Sequence, residues 1–291
     1  MKITARTTAL AIFGDPVNHS ISPVMQGAAI EAVGLDMVYL AFCVAPADLG
    51  RAVAAISALG IRGVNITIPH KEGVMEFLDE IDETARALGA VNTIENDSGR
   101  LRGHNTDAEG FATSLVAETG IDPQGSTALV VGAGGAARAV VYGLASRGAS
   151  RVFVANRTPA RAEALCADLG PACPGSILEA IPLGAGQMEK LLEKTDILVN
   201  ATSLGMKGRG DLDLPLEHLK KDAVVSDIVY TPMETGLLKK ARALGLTVHH
   251  GLGMLIGQGA LSFEIWTGRK APLEVMRKAA LEALAETLPE T

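Results

Sequence analysis

Two kinds of residue in this chain have the type and spacing to do chemistry: bare backbone able to carry an anion, and side-chain hydroxyl, ammonium and carboxylate groups at strand ends and helix starts. The apolar run 127–131 passes straight into Gly132-Ala133-Gly134-Gly135-Ala136-Ala137 and then into a helix-forming run, 136–147. Gly132 allows a tight turn, Gly134 lets backbone approach a pyrophosphate, and Ala137 permits close helix–strand packing. The helix start supplies unpaired N–H groups for the anion. Gly132, Ala133, Gly134, Gly135 and Ala136 are therefore candidates for a nucleotide cradle. A Gly-rich bend without a ligand is the competing account, but a position between strand and helix is what the mechanism requires. The next strand, 151–155, delivers Asn156-Arg157-Thr158, with Arg161 one turn further on. An NAD site wants a carboxylate there for the ribose 2′-hydroxyl. Two cations and a hydroxyl suit a 2′-phosphate instead, which favours NADP. A solvated helix start would also explain the two arginines.

The second group lies in the first third of the chain. His19-Ser20-Ile21-Ser22-Pro23 precedes the apolar series Val24, Ala28, Ala29, Val33. Pro23 fits the first helical position and Ser22 the N-cap, and two hydroxyls at a helix N-terminus would also hold a carboxylate. A strand at 63–68 runs into Thr67-Ile68-Pro69-His70-Lys71. Ligands of open α/β sheets sit beyond the carboxyl ends of strands, where Thr67 and Lys71 fall. Taken alone, Lys71 is an exposed lysine near a helix start. Asp107, opening a helix at 108–118, can equally be a cap worth ~1 kcal/mol.

Elements that position these groups follow from periodicity. Strands at 10–13, 37–44 and 63–68 alternate with helices behind Pro23 and Pro46, an order that implies a parallel sheet. A helical stretch to Leu88, a strand at 89–93 and a turn at Asn96-Asp97-Ser98-Gly99 suggest a hairpin returning through 100–102. The segment 121–125 reads as a linker. Beyond it, strands at 127–131, 151–155, 197–199, 224–228 and 247–249 alternate with helices at 136–147, 160–169 and 234–244. The stretch 171–186 is rich in Pro and Gly and reads as loop. An apolar helix at 251–266 carries one amide, Gln258, and a last helix spans about 272–284.

The 291 residues exceed one typical domain, so two are expected. Only 3% of residues are aromatic and the formal charge is −7, which argues against base stacking, sequence-independent DNA binding and attraction to anionic lipid. Cys43, Cys166 and Cys173 are odd in number and lack metal-ligand spacing, consistent with free thiols in a reducing compartment. No apolar run is long enough to span a membrane, so a cytoplasmic protein is expected, with no metal, nucleic-acid or membrane partner.

The residues Gly14-x-Pro16-x-x-His19-Ser20-x-Ser22-Pro23, Asn65-x-Thr67-x-Pro69-x-Lys71, Gly89-Ala90-Val91-Asn92-Thr93, Asn105-Thr106-Asp107, Gly132-x-Gly134-Gly135, Asn156-Arg157-Thr158, Asn200-Ala201-Thr202-Ser203 and the Gln258 helix follow one another over nearly the whole chain. In this order they resemble the shikimate dehydrogenase family. The resemblance implies a two-domain α/β fold, an N-terminal α/β substrate domain plus a Rossmann-type NADP-binding domain, with boundaries expected at 1–107 with 251–291 and at 108–250. It implies reversible reduction of 3-dehydroshikimate to shikimate, with that small molecule as partner and a homodimer open as the assembly. By motif position, Ser20 and Ser22 would hold the substrate carboxylate with Tyr230 nearby. Thr67, Asn92, Asp107 and Gln258 would bind ring hydroxyls, and Lys71 with Asp107 would be the catalytic pair. Thr202, Ser203, Gly251 and Met254 would join the nucleotide contacts. One departure is Gln26, where many members carry Asn or His. Quinate dehydrogenation in a catabolic role remains an alternative, as does a nucleotide sensor without turnover. Retention of Lys71 and Asp107 speaks against the sensor, because a binder has no use for a proton donor.

Overall fold

The structure is a computed structural model and describes residues 3–183 and 185–286. The chain divides into two compact units, 1–106 with 256–291, and Asp107–Leu255.

The first unit contains β1 (Thr8–Gly14), α1 (Ser22–Val33), β2 (Met37–Cys43), α2 (Leu49–Ala58), β3 (Gly63–Ile66), β4 (Glu80–Ile81), α3 (Glu83–Leu88), β5 (Thr93–Asp97) and β6 (Arg100–His104). Its sheet has the order β2-β1-β3-β5-β6-β4. The first three strands are parallel, as the alternation of strand and helix predicts, but β5 runs antiparallel to β3 and to β6. The sheet is therefore mixed rather than parallel throughout. The turn after Asp97, where Ser98 and Gly99 both take positive φ, reverses the chain into β6 and accounts for the antiparallel β5–β6 pair. The expected helix up to Leu88 is also broken up, into a 3-10 turn at Gly73–Phe77, β4 and the short α3. Ala11, Phe13, Val53, Ile56, Val64, Ile66, Val91 and Ile94 fill one core between this sheet and α2.

The second unit contains α4 (Asp107–Thr119), β7 (Thr127–Val131), α5 (Gly135–Ser146), β8 (Arg151–Asn156), α6 (Pro159–Leu169), β9 (Ile177–Pro182), α7 (Ala185–Leu192), β10 (Ile197–Asn200), β11 (Val224–Asp227), α8 (Gly236–Ala243) and β12 (Thr247–His250). All its strands are parallel, in the order β12-β11-β10-β7-β8-β9. That is the doubly wound order of two mononucleotide halves, with the reversal of winding between β7 and β10. The stretch 171–186, read above as loop, supplies the edge strand β9, and residue 184 lies outside the described residues. Residues 128–131 of β7 and 197–199 of β10 are apolar and completely or almost completely buried, as central strands of a covered parallel sheet must be. α9 (Gly251–Thr267) follows β12 directly, and α10 (Leu273–Glu286) then packs on α1 in the first unit. Among the described residues no helix is long and apolar enough to cross a membrane.

Candidate active site

In the second unit the glycine turn leaves β7 at the reversal point. Gly132 has φ +123°, and a Cβ there would stand 2.7 Å from the Ala201 carbonyl oxygen and 3.2 Å from Thr202 Cγ2. Only glycine permits both the left-handed backbone and this approach of the loops after β7 and β10. Gly134 is the N-cap of α5, and Cβ atoms added at Gly134 or Gly135 would meet nothing within 4 Å. The protein thus leaves open space over the first turn of α5, whose leading N–H groups have no partner within the helix. Ala137 is fully buried beneath it. This combination fits a dinucleotide diphosphate.

β8 ends beside that turn: Gly132 N–H donates to the Ala155 carbonyl at 2.8 Å. Asn156 Nδ2 closes the following bend on the Thr158 carbonyl at 2.9 Å, and Pro159 starts α6. Arg157, Thr158 and Arg161 are exposed. Arg138, Arg147 and Arg151 each pair with a carboxylate, whereas Arg157 and Arg161 form no ion pair among the described residues. Two unneutralised guanidinium groups past the second strand of the fold suit a phosphate on the ribose.

After β10, Asn200 organises the next loop. Its Oδ1 accepts from Thr202 N–H at 3.1 Å and Thr202 Oγ1 at 2.7 Å, and its Nδ2 donates to Asp227 Oδ1 at 3.0 Å. Ser203 is exposed at the loop tip. Asp227, fully buried at the end of β11, also accepts from Thr235 Oγ1 at 2.7 Å and Val229 N–H at 3.0 Å. Burial raises its carboxyl above the usual range, although these three bonds pull the other way. Tyr230 follows, its phenol also pushed up by burial and so kept as a donor. Gly251 starts α9, and a Cβ on it would stand 2.3 Å from the Ile228 carbonyl oxygen. Met254 is half-buried one turn on. Asp107 opens α4, is 7% exposed, and lies in the helix's acidic first turn.

The first unit gathers the other candidates around the carboxyl end of β3. Thr67 packs on Gly14, where any Cβ would stand 2.4 Å from Thr67 Cγ2. His70, 2% exposed, anchors the loop through Nε2 to the Val44 carbonyl at 2.7 Å. The Lys71 carbonyl accepts from Val91 N–H at 2.8 Å, and Ile66 N–H donates to the Asn92 carbonyl at 2.8 Å. Segments 66–71 and 91–93 are thereby laid side by side. Asn92 Nδ2 reaches Gln258 Oε1 at 3.4 Å. Ser20 and Ser22 are joined locally: Ser22 N–H donates to Ser20 Oγ at 3.3 Å, and Ser20 N–H to the Val17 carbonyl at 3.0 Å. The expected N-cap role of Ser22 is corrected, since Ile21 is the N-cap and no side chain caps α1. The Ser22 hydroxyl therefore has no capping duty. Gln26 is fully buried on α1, donating from Nε2 to the Gly259 carbonyl at 2.8 Å, so it ties α1 to the residue after Gln258. Asn65, Thr93, Thr106 and Ser262 form a buried polar network behind Asn92. The first three stand in motif stretches without an assigned role, and Ser262 is read from sequence only as part of an apolar helix. Among the described residues no group of three or more His, Cys, Asp or Glu side chains is arranged to hold a metal ion.

Comparison with known proteins adds an independent observation. Three family models match the chain: a shikimate dehydrogenase substrate binding domain over residues 12–94, a shikimate/quinate 5-dehydrogenase domain over 115–206, and a shikimate 5′-dehydrogenase C-terminal domain over 251–281. A shikimate dehydrogenase (NADP(+)) from Methanopyrus kandleri is 47% identical over 287 residues, covering 98% of each chain. A crystal structure of shikimate 5-dehydrogenase from Thermus thermophilus, in complex with NADP(H) and shikimate, is 40% identical with a TM-score of 0.85, covering 95% of this chain and 99% of that one. A quinate dehydrogenase from Corynebacterium glutamicum in complex with NAD is 34% identical with a TM-score of 0.89, over 95% and 99% of the two chains.

Proposed function

The chain belongs to the shikimate dehydrogenase family, and from that premise we propose that it interconverts 3-dehydroshikimate and shikimate with NADP as its nucleotide, in the biosynthetic direction. The observation that carries the cofactor is the pair Arg157 and Arg161, exposed and without carboxylate partners among the described residues, just beyond the second strand of a doubly wound sheet. The full-length identity of 47% to a shikimate dehydrogenase (NADP(+)) supports the same choice.

NADPH supplies a hydride to the ketone carbon, and NADP accepts one from the alcohol carbon in reverse. The ketone oxygen then carries developing negative charge, which needs a cationic donor and finally a proton. We assign both tasks to the Lys71 ammonium. Asp107 orients that ammonium and favours its charged form. The hydroxyls of Ser20 and Ser22, at the N-terminus of α1, hold the substrate carboxylate with the Tyr230 phenol, and Thr67, Asn92, Asp107 and Gln258 hold the ring oxygens. Support for this division comes from chemistry. A neutral amide or hydroxyl serves an alcohol, while the helix start serves an anion. Gly132, Ala133, Gly134, Gly135 and Ala136 receive the diphosphate, and Asn156, Arg157, Thr158 and Arg161 the 2′-phosphate. Thr202, Ser203, Gly251 and Met254 flank the remainder of the nucleotide.

The deciding experiment follows reduced-nicotinamide absorbance with shikimate and with quinate, each paired with NADP and with NAD. Fastest turnover with shikimate and NADP is expected. Faster turnover of quinate with NAD would establish the catabolic reading, and turnover with no pair would leave a nucleotide sensor.

A further inference from the structure

Behind Asn92 and Gln258 lies a group of buried hydroxyls to which the reaction as described gives no task. Thr93 and Ser262 are fully buried and Thr106 is almost so. Thr106 Oγ1 accepts from Asn92 Nδ2 at 2.8 Å and donates to the Gln258 carbonyl at 3.0 Å. Ser262, one helical turn beyond Gln258 on α9, donates to the same carbonyl at 2.9 Å. Its Oγ stands 2.8 Å from Thr93 Oγ1 and 3.3 Å from Thr106 Oγ1, and accepts from Asn65 Nδ2 at 3.0 Å. Tyr39 completes the set, its phenol donating to Asn65 Oδ1 at 2.7 Å.

Proton accounting gives this network a direction. The Tyr39 phenol, held protonated by burial, turns the Asn65 amide so that Nδ2 faces Ser262 and Thr93. Each hydroxyl has a single proton. Those of Thr106 and Ser262 both go to the Gln258 carbonyl, which leaves their oxygens to accept from Asn92 and Asn65. The Thr93 proton goes to Ser262 Oγ at 2.8 Å, and Asn92 Oδ1 meanwhile accepts from Thr106 N–H at 2.8 Å. The Asn92 carboxamide therefore has one satisfied orientation, and α9 is fixed against it at the residue that carries the second amide. A satisfied buried network of this kind imposes one geometry, because breaking any member strands a desolvated polar group.

We propose that Thr106 and Ser262 are positioning residues, a pair of buried hydroxyls that clamps α9 to the Asn92 segment and so sets the spacing of the Asn92 and Gln258 amides for the hydroxyl pattern of the substrate ring. The proposal rests on the assignment of those two amides to the ring under Proposed function. It locates the clamp in recognition of the ring, apart from nucleotide binding. Thr106 and Ser262 act through Asn92 and Gln258 and need not touch the substrate.

The test compares steady-state constants of the full chain with its Thr106→Val, Thr106→Ser and Ser262→Ala variants and the Thr106→Val/Ser262→Ala double variant. Valine keeps the shape of threonine and removes the hydroxyl. It should raise the shikimate KM about tenfold, the loss expected of one positioning hydrogen bond, with the NADP KM within about twofold of the unaltered chain. Thr106→Ser should restore the shikimate KM to within about threefold, because it returns the hydroxyl. Ser262→Ala should shift the same constant in the same direction. The double variant should fall well short of the product of the single effects, since both hydroxyls serve one carbonyl. An unchanged shikimate KM in Thr106→Val, an equal rise in the NADP KM, or a serine variant as impaired as the valine would overturn the clamp. Should Thr106→Val fold poorly, Ser262→Ala decides by the same split, alanine being the best helix former for the interior of α9. Absence of shikimate turnover in the unaltered chain would sink the proposed function and the clamp with it. Normal turnover with indifferent variants would sink the clamp alone.

Discussion

Replacing Gly134 and Gly132 by alanine, one at a time, separates a ligand-facing glycine from a fold-bearing one two residues away. Gly134 has φ −101° and ψ −174°, a conformation any residue adopts, and an added Cβ meets no protein atom within 4 Å. Gly134→Ala should therefore change stability by no more than about 0.5 kcal/mol, the usual limit for a surface site without special features. For a unit of this size that is a shift of about 2 °C or less in Tm. If the diphosphate lies against this backbone, the new methyl group stands in its path. Overpacking of that size costs ~1–3 kcal/mol, which is a rise of roughly 5- to 150-fold in the NADP KM. Gly132 presents the opposite case. Its φ of +123° disfavours any side chain, and the added Cβ would stand 2.7 Å from the Ala201 carbonyl oxygen and 2.9 Å from its carbon, both backbone atoms of a buried residue. A strained backbone (~1–3 kcal/mol) and an overpacked contact (~1–3 kcal/mol) together cost about 2–6 kcal/mol. That predicts a Tm lower by roughly 4–24 °C even without nucleotide. Calorimetry with and without NADP, alongside KM measurement, reads both effects. An NADP KM unchanged in Gly134→Ala would show that the diphosphate does not approach that backbone. An unchanged Tm in Gly132→Ala would refute the close approach of the β7 and β10 loops as the reason for glycine.

Three further outcomes follow from the same geometry. Arg157→Ala should raise the NADP KM roughly 10- to 150-fold, for one charge-assisted contact of about 1.5–3 kcal/mol, and leave the NAD constant nearly unchanged; equal losses would make Arg157 structural. Lys71→Ala should lower kcat by ~10²–10⁴-fold with little change in Tm, and Asp107→Asn should also lose most turnover although the amide keeps the shape. Multiplicative losses in the Lys71→Ala/Asp107→Asn double variant would show that the two do not act as a unit. Because the Asp227 carboxyl is raised above its ordinary 3.8, the folded chain keeps that proton to higher pH than the unfolded chain does. Its stabilising contribution is therefore full below 3.8 and is lost as pH rises through the folded value. Chemical denaturation of the unaltered chain and Asp227→Ala should give a stability gap that narrows from the acid end toward neutrality. A widening gap would mean that the three hydrogen bonds, not burial, govern this carboxylate.

The parts of this molecule that sequence reveals are those where a residue type answers a local demand. Gly132 and Gly134 mark a strand-to-helix turn, Arg157 stands where a strand ends, and Ser20 precedes a helix, so each is visible without knowing the rest of the chain. β9 was not visible, because Ile177–Pro182 is an edge strand of mixed exposure bounded by Pro and Gly, and its six residues show no clean alternation. The antiparallel β5 was half visible. The turn at Ser98 and Gly99 announces a hairpin, but nothing local says that this hairpin joins the sheet through β3. Ser22 misled for a related reason: a hydroxyl before a proline satisfies the capping pattern whether or not its oxygen turns back to the helix. Ser262 was least visible of all. A serine inside an apolar helix reads as core, and only its spacing of four from Gln258 hints at a shared face. Its partners come from residues 65, 93 and 106, more than 150 positions away. Local demand thus exposes the groups that meet a ligand, while the groups that hold them in place answer to residues that only the fold brings near, and that is why the clamp has to be tested through a substrate constant.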